Sequence, residues 1–92
     1  MDTTLENDKN VVTEDYFLLA IRNWDDERED YLPVDDPSTE TQTFRDFQDA
    51  EDAYFSTNYE GCAQAGGKDV KVELLHMRFG ISHMVRNRIL FP

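Results

Sequence analysis

Cysteine is almost missing from this 92-residue chain, and its scarcity excludes several classes of protein at once. Cys62 stands alone, so no intrachain disulfide and no cysteine-based zinc knuckle can be built. A reducing, cytoplasmic compartment is expected. Long apolar runs are also missing. The longest, YFLLAI at residues 16–21, is far below the ~20 residues that a membrane-crossing helix needs. The N-terminal MDTTLENDKN has neither a basic start nor an apolar stretch, so no secretory signal is read there and no membrane contact is expected. Basic residues are scarce in the first two-thirds. Residues 1–67 carry 18 acids against Lys9, Arg22, Arg28 and Arg45, a net of −14. Residues 68–92 reverse the sign, with Lys68, Lys71, Arg78, Arg86 and Arg88 against Asp69 and Glu73, a net of +3. The whole chain stands at −11. A field of that sign repels nucleic acid and anionic membrane and attracts basic surfaces.

What is present is enough to fold. Apolar residues make up 39%, with six Phe, four Tyr and one Trp gathered in periodic segments, and the length suits one domain. Residues 1–10 read as a flexible arm and 11–92 as a single α+β domain. Residues 11–24 are expected to form a buried strand, because YFLLAI is short and rich in aromatic and branched side chains. A weak strand over residues 31–34 is expected to pair back onto it, with Pro33 confining it to an edge. Residues 35–43 read as loop. A helix is expected over residues 44–56, with Thr43 as N-cap, an apolar stripe of Phe44, Phe47, Ala50 and Tyr54, and Asp46, Asp49 and Asp52 on the opposite face. The glycines of residues 58–68 mark a loop. Residues 70–91 read as a hairpin turning at Gly80-Ile81, which sets Glu73 opposite Arg88 and Val72 opposite Ile89. The order strand, weak strand, helix, strand, strand implies a small antiparallel sheet with one helix packed on a face.

The strongest candidate site is acidic. Asp25, Asp26, Glu27, Glu29 and Asp30, extended by Asp35 and Asp36 and by Asp46, Asp49 and Asp52 on the helix, form a carboxylate-rich surface. Two readings stand side by side: a row that imitates a phosphate backbone, and a solvated face that only keeps the protein soluble. Trp24 and Tyr31 border the cluster, as core residues or as aromatic anchors of a binding patch. A dedicated calcium loop is disfavoured, because DDEREDYLPVDD lacks the glycine such a loop requires at its turn and carries Pro33, although casual cation binding stays open. Hydrolysis by a carboxylate pair is disfavoured, since nothing apolar surrounds these acids to separate their pKa values. His76 and His83 lack a third convergent ligand for zinc. Cys62 has no basic neighbour to activate it. The glycines of GCAQAGGK fail the spacing of a phosphate-binding loop. No catalytic set, metal or cofactor is expected.

In size, charge and layout the chain resembles small phage-encoded inhibitors, the anti-CRISPR proteins and DNA mimics. The resemblance rests on no shared motif. It implies a non-enzymatic, stoichiometric binder whose acidic surface blocks the nucleic-acid-binding face of a basic host protein or complex, in the host cytoplasm, without touching nucleic acid itself. The alternative is an acidic structural protein or assembly subunit with a solubilising, salt-adapted surface.

Overall fold

A computed structural model describes residues 15–62 and 64–92. The expected arm at residues 1–10, and the first part of the expected strand at 11–14, lie outside the described residues. The fold is α+β. Its strands are β1 (Tyr16–Asp25), β2 (Asp30–Tyr31), β3 (Glu40–Phe44), β4 (Val70–Arg78) and β5 (Ile81–Leu90), and its helix is α1 (Phe47–Ser56). All strand pairings are antiparallel, in the order β2-β1-β4-β5, with β3 sharing the β2 side of β1.

Alternation along the two central strands places the core. Leu19, Val70, Val72 and Leu74 project from β1 and β4 towards α1, where they meet Ala50 and Tyr54; Cys62 and Ala65 from the loop after the helix close the cluster. Val70, Val72 and Leu74 are wholly buried. The opposite face of β4 is also closed, at Glu73 and Leu75. There Arg22 donates from Nη1 to Glu73 Oε2 at 2.7 Å, with Lys71 Nζ 3.4 Å from the same oxygen. Arg22 Nε also donates to the Leu32 carbonyl at 2.7 Å, tying the segment after β2 to the sheet.

Several local expectations change. The weak strand shrinks to Asp30–Tyr31, paired with β1 as expected. Residues 40–44 form a strand, not a loop, with Phe17 opposite Phe44 and Leu18 opposite Thr43. The helix therefore starts three residues later. Phe44 is a strand residue, Thr43 caps nothing, and the N-cap is Asp46, whose carboxylate accepts from the Asp49 amide at 3.2 Å. Ala50 and Tyr54 are buried as the stripe requires, but Phe47 in the first turn is 39% exposed. Arg88 completes the far end of the helix, where its Nη2 donates to the carbonyls of Tyr54 and Thr57 at 2.9 and 2.6 Å. A cation there offsets the negative end of the helix dipole.

The hairpin turn sits one residue earlier than expected, at Phe79-Gly80, with φ of 52° and 80°. Two positive φ values are the mark of a type I′ turn, whose twist matches that of the strands it joins. The pairing follows from it: Arg78 faces Ile81 and Leu75 faces Met84, then a bulge shifts the ladder so that Glu73 faces Asn87 and Val72 faces Arg88. The expected Glu73–Arg88 and Val72–Ile89 pairs do not form. The bulge also exchanges the faces of β5, since one extra residue reverses the alternation. Leu90, Arg86 and Arg88 turn to the helix side, and Ile89 turns away from it.

Candidate partner-binding surface

The acidic residues do not gather into one surface. Asp25 and Asp30 close the β1–β2 ladder, and residues 26–29 form the turn beyond them. Asp46 and Asp49 begin the helix just after Phe44, which faces Phe17 near the other end of β1. Eight residues separate Phe17 from Asp25, about 26 Å of strand at 3.3 Å per residue. The turn acids and the helix acids thus occupy opposite ends of the sheet. Asp35 and Asp36 belong with the turn group, in the segment that returns from β2 to β3.

The β1–β2 turn is built by its own side chains. Glu29 adopts a φ of 54°, a region where residues other than glycine are uncommon, and its amide donates to the Asp25 carbonyl at 2.9 Å. Asp25 Oδ1 accepts from the Glu27 amide at 3.3 Å, and Asp30 Oδ1 from the Tyr31 amide at 2.7 Å. Asp26 is held from two sides. Lys68 Nζ bonds to Oδ2, and the Trp24 indole donates to Oδ1 at 2.9 Å. These bonds, that of Lys68 first, hold the Asp26 carboxyl below the usual carboxylate range. Ser38 donates to Asp36 from both hydroxyl and amide, lowering that carboxyl as well, with the nearby Arg28 charge adding to the effect.

Trp24 and Tyr31 are cross-strand partners at the base of the turn, edge to face with centroids 5.1 Å apart, and both are partly buried. Lys71 Nζ stands 6.0 Å from the Tyr31 ring. Burial, followed by the charges of Asp69 and Asp30, pushes the Tyr31 phenol up. The pair supports the turn from beneath and leaves only part of its area for contact. On the helix, Asp46 is occupied as the cap and Asp52 accepts from Gln48 at 2.9 Å. The expected row of three therefore reduces to Asp49 and Asp52 facing outward.

Cations are mostly committed elsewhere. Arg86 pairs with Glu51, Arg78 with Asp15 at 3.4 Å, and Arg22 and Lys71 with Glu73. Among the described residues, no ion pair involves Asp25, Glu27, Glu29, Asp30 or Asp35. Two residues that matter to the turn are not in the acidic cluster at all. Lys68 clamps it from the glycine loop, and Arg22 anchors the segment that follows it. Lys68 lies 42 residues from Asp26, and Arg22 bonds a backbone carbonyl, that of Leu32, so side-chain patterning signals neither.

His76 and His83 face each other across the hairpin, with His76 stacked on Phe17 at 4.6 Å and its Nε2 4.0 Å from Asp15. Among the described residues, no three His, Cys, Asp or Glu side chains converge to hold a metal. Cys62 is buried; its Sγ donates to the Asn58 carbonyl at 3.3 Å, and burial, then the Glu40 charge, pushes the thiol up. A surface cleft of about 350 Å³ is lined by Leu19, Ile21, Glu40, Thr41 and Gln42, a set with one titratable group. Among the described residues no helix is long and apolar enough to cross a membrane. No protein-family profile, curated protein or solved structure matches the chain.

Proposed function

We propose that the protein is a non-enzymatic inhibitor of the anti-CRISPR or DNA-mimic kind, and that the β1–β2 turn is the part that enters a partner's basic groove. One observation carries the reading. Carboxylates at residues 25, 27, 29, 30 and 35 stand without an ion-pair partner among the described residues, while Arg22, Lys71, Arg78 and Arg86 pair with acids outside the turn. An anionic projection of this kind complements the cationic groove of a nucleic-acid-binding protein and competes for the same side chains. Trp24 and Tyr31 stiffen its base, which lowers the entropy lost on binding.

The test compares two variants in DNA-cleavage and gel-shift assays against a panel of RNA-guided nuclease complexes. One neutralises the turn (Asp25→Asn, Glu27→Gln, Glu29→Gln, Asp30→Asn), keeping the acceptor oxygens that the backbone uses. The other neutralises the helix (Asp49→Asn, Asp52→Asn). The turn variant is expected to lose inhibition and the helix variant to keep it. Undiminished inhibition by the turn variant would overturn the reading.

A further inference from the structure

One acid at the turn end of the sheet stands outside the cluster described above. Asp69 comes immediately before β4 and lies beside Trp24, whose amide donates to its carbonyl at 3.2 Å. Its carboxylate is partly buried, and among the described residues it takes no hydrogen bond and no ion pair. After burial, its charge is the next cause that pushes the Tyr31 phenol up, which places it on the face shared by Trp24 and Tyr31. A cleft of about 230 Å³ opens there, lined by Trp24, Gly67, Lys68 and Asp69. Small-molecule sites run to roughly 300–1,000 Å³, so this one suits a single side chain. Gly67, at φ 80°, brings only backbone to it, and nothing lies within 4 Å of where a Cβ would stand. The indole is fixed from two directions: its Nε1 donates to Asp26 Oδ1 at 2.9 Å, and Tyr31 packs against it with centroids 5.1 Å apart. The aromatic wall is therefore preformed. Lys68, the cation in the lining, is already matched, because its Nζ bonds Asp26 and leaves Asp69 unneutralised.

We propose that this cleft is an arginine socket, in which Trp24 and Asp69 receive one guanidinium from the protein that the turn engages. Charge and shape together select the guest. A guanidinium lies flat against an indole and still presents an N–H edge to a carboxylate, two contacts that the compact, strongly hydrated ammonium of lysine makes less well. A neutral aromatic guest would cover Asp69 and leave a charge buried without a partner, which is costly. An acidic guest would meet Asp26, Asp30 and Asp69, and is repelled. The turn acids attract a basic surface without fixing its position, whereas a filled pocket sets register and anchors the complex. That the arginine belongs to a nucleic-acid-binding groove rests on the inhibitory reading; the affinity of the cleft for a guanidinium does not.

Trp24 is the chain's single tryptophan, so its fluorescence reports on the cleft. The wild-type protein is titrated at constant ionic strength with N-acetyl-arginine methylamide, with its lysine counterpart, and with its citrulline counterpart, which has the shape of arginine without the charge. Arginine should give a saturable change, lysine a weaker one and citrulline none. Asp69→Asn should raise the arginine midpoint about tenfold, the loss of one charge-assisted bond, whereas Asp49→Asn with Asp52→Asn on the helix should leave it in place. An arginine response that never saturates, one matched by lysine or citrulline, or one indifferent to Asp69→Asn would each overturn the proposal. Should Asp69→Asn unfold, the Trp24 indole and Gly67 amide resonances of the wild type decide, since both must shift with arginine and stay fixed with citrulline. No partner protein enters these measurements, so the socket can fail while the turn variant still loses inhibition, and the reverse.

Discussion

Replacing Arg22 with methionine should destabilise the protein more than replacing Glu73 with leucine, although the two residues form one ion pair. Glu73 is 4% exposed at its side chain and Arg22 is 17% exposed. Without Arg22, the buried carboxylate keeps only Lys71, at 3.4 Å, and the Leu32 carbonyl loses a charged donor. Breaking a buried pair from one side costs about 3–5 kcal/mol, a large share of the roughly 5–15 kcal/mol that holds a domain together. Without Glu73, the guanidinium keeps its bonds to the carbonyls of Leu32 and Tyr31, at 2.7 and 3.4 Å. The loss is then nearer one charged hydrogen bond, about 1.5–3 kcal/mol. The double replacement should cost less than the sum of the singles, because it removes both charges and leaves neither buried alone.

Urea denaturation followed by circular dichroism gives all three values, and amide exchange adds a local readout. The Leu32 amide, bonded to the Asn23 carbonyl at 2.9 Å, should lose protection in the arginine variant while amides of β4 keep theirs. Additive single effects, or a Glu73 variant weaker than the Arg22 variant, would refute the asymmetry on which the argument rests.

Other outcomes follow from the same geometry. Tyr54→Ala should cost about 3–5 kcal/mol, because the ring is 3% exposed. Phe47→Ala should cost only about 1–3 kcal/mol, since that ring is 39% exposed and keeps its contact with Phe17 at 5.2 Å; thermal melts rank the pair. Phe79→Asn should raise stability by about 1–2 kcal/mol, because asparagine tolerates the positive φ that phenylalanine resists; chemical denaturation checks it. The lowered Asp26 carboxyl contributes stability that is present above its unfolded-state pKa and is lost as pH falls through the folded one. Asp26→Asn or Lys68→Gln should therefore flatten the acid limb of a melting-temperature profile. Cys62 should react slowly with thiol reagents in the native state and quickly in urea, and its raised pKa removes stability as pH climbs past the unfolded thiol value.

The parts legible in the sequence were those whose periodicity reflects burial. YFLLAI formed the expected buried strand, VKVELL became a buried strand of the hairpin, and Ala50 and Tyr54 of the helical stripe lie in the core. β3 was hidden because ETQTF is polar and exposed on four of its five residues, so no apolar pattern announces it; only the β-branched threonines hinted at a strand. Its presence displaced the helix start, since Phe44 could extend either pattern and pairing with Phe17 decided between them. The hairpin failed by one residue for a related reason. Phenylalanine is a poor occupant of a positive φ, so sequence logic moved the turn to Gly80-Ile81, and the bulge that restores Leu90 to the core leaves no mark in composition. The acidic cluster itself was plain. Its division was not, because position at one or the other end of a strand depends on β3, the element that went unseen.

That division bears on mimicry. Duplex DNA presents about one charge per 1.7 Å of axis. With Asp26 matched by Lys68 and one charge offset by Arg28, residues 25–30 keep a net of three negative charges, within about two residue levels of a hairpin, or roughly 7 Å. That is close to one charge per 2–2.5 Å, and Asp35 and Asp36 extend it along the returning segment. The helix offers only Asp49 and Asp52, and no acid follows them in residues 53–56. A partner's groove would thus recognise the turn before the helix, and affinity should fall with salt in proportion to the turn charges engaged. The logarithmic salt slope of binding should become markedly shallower in the turn variant and stay nearly unchanged in the helix variant. Equal slopes for wild type and turn variant would mean that the partner is held elsewhere.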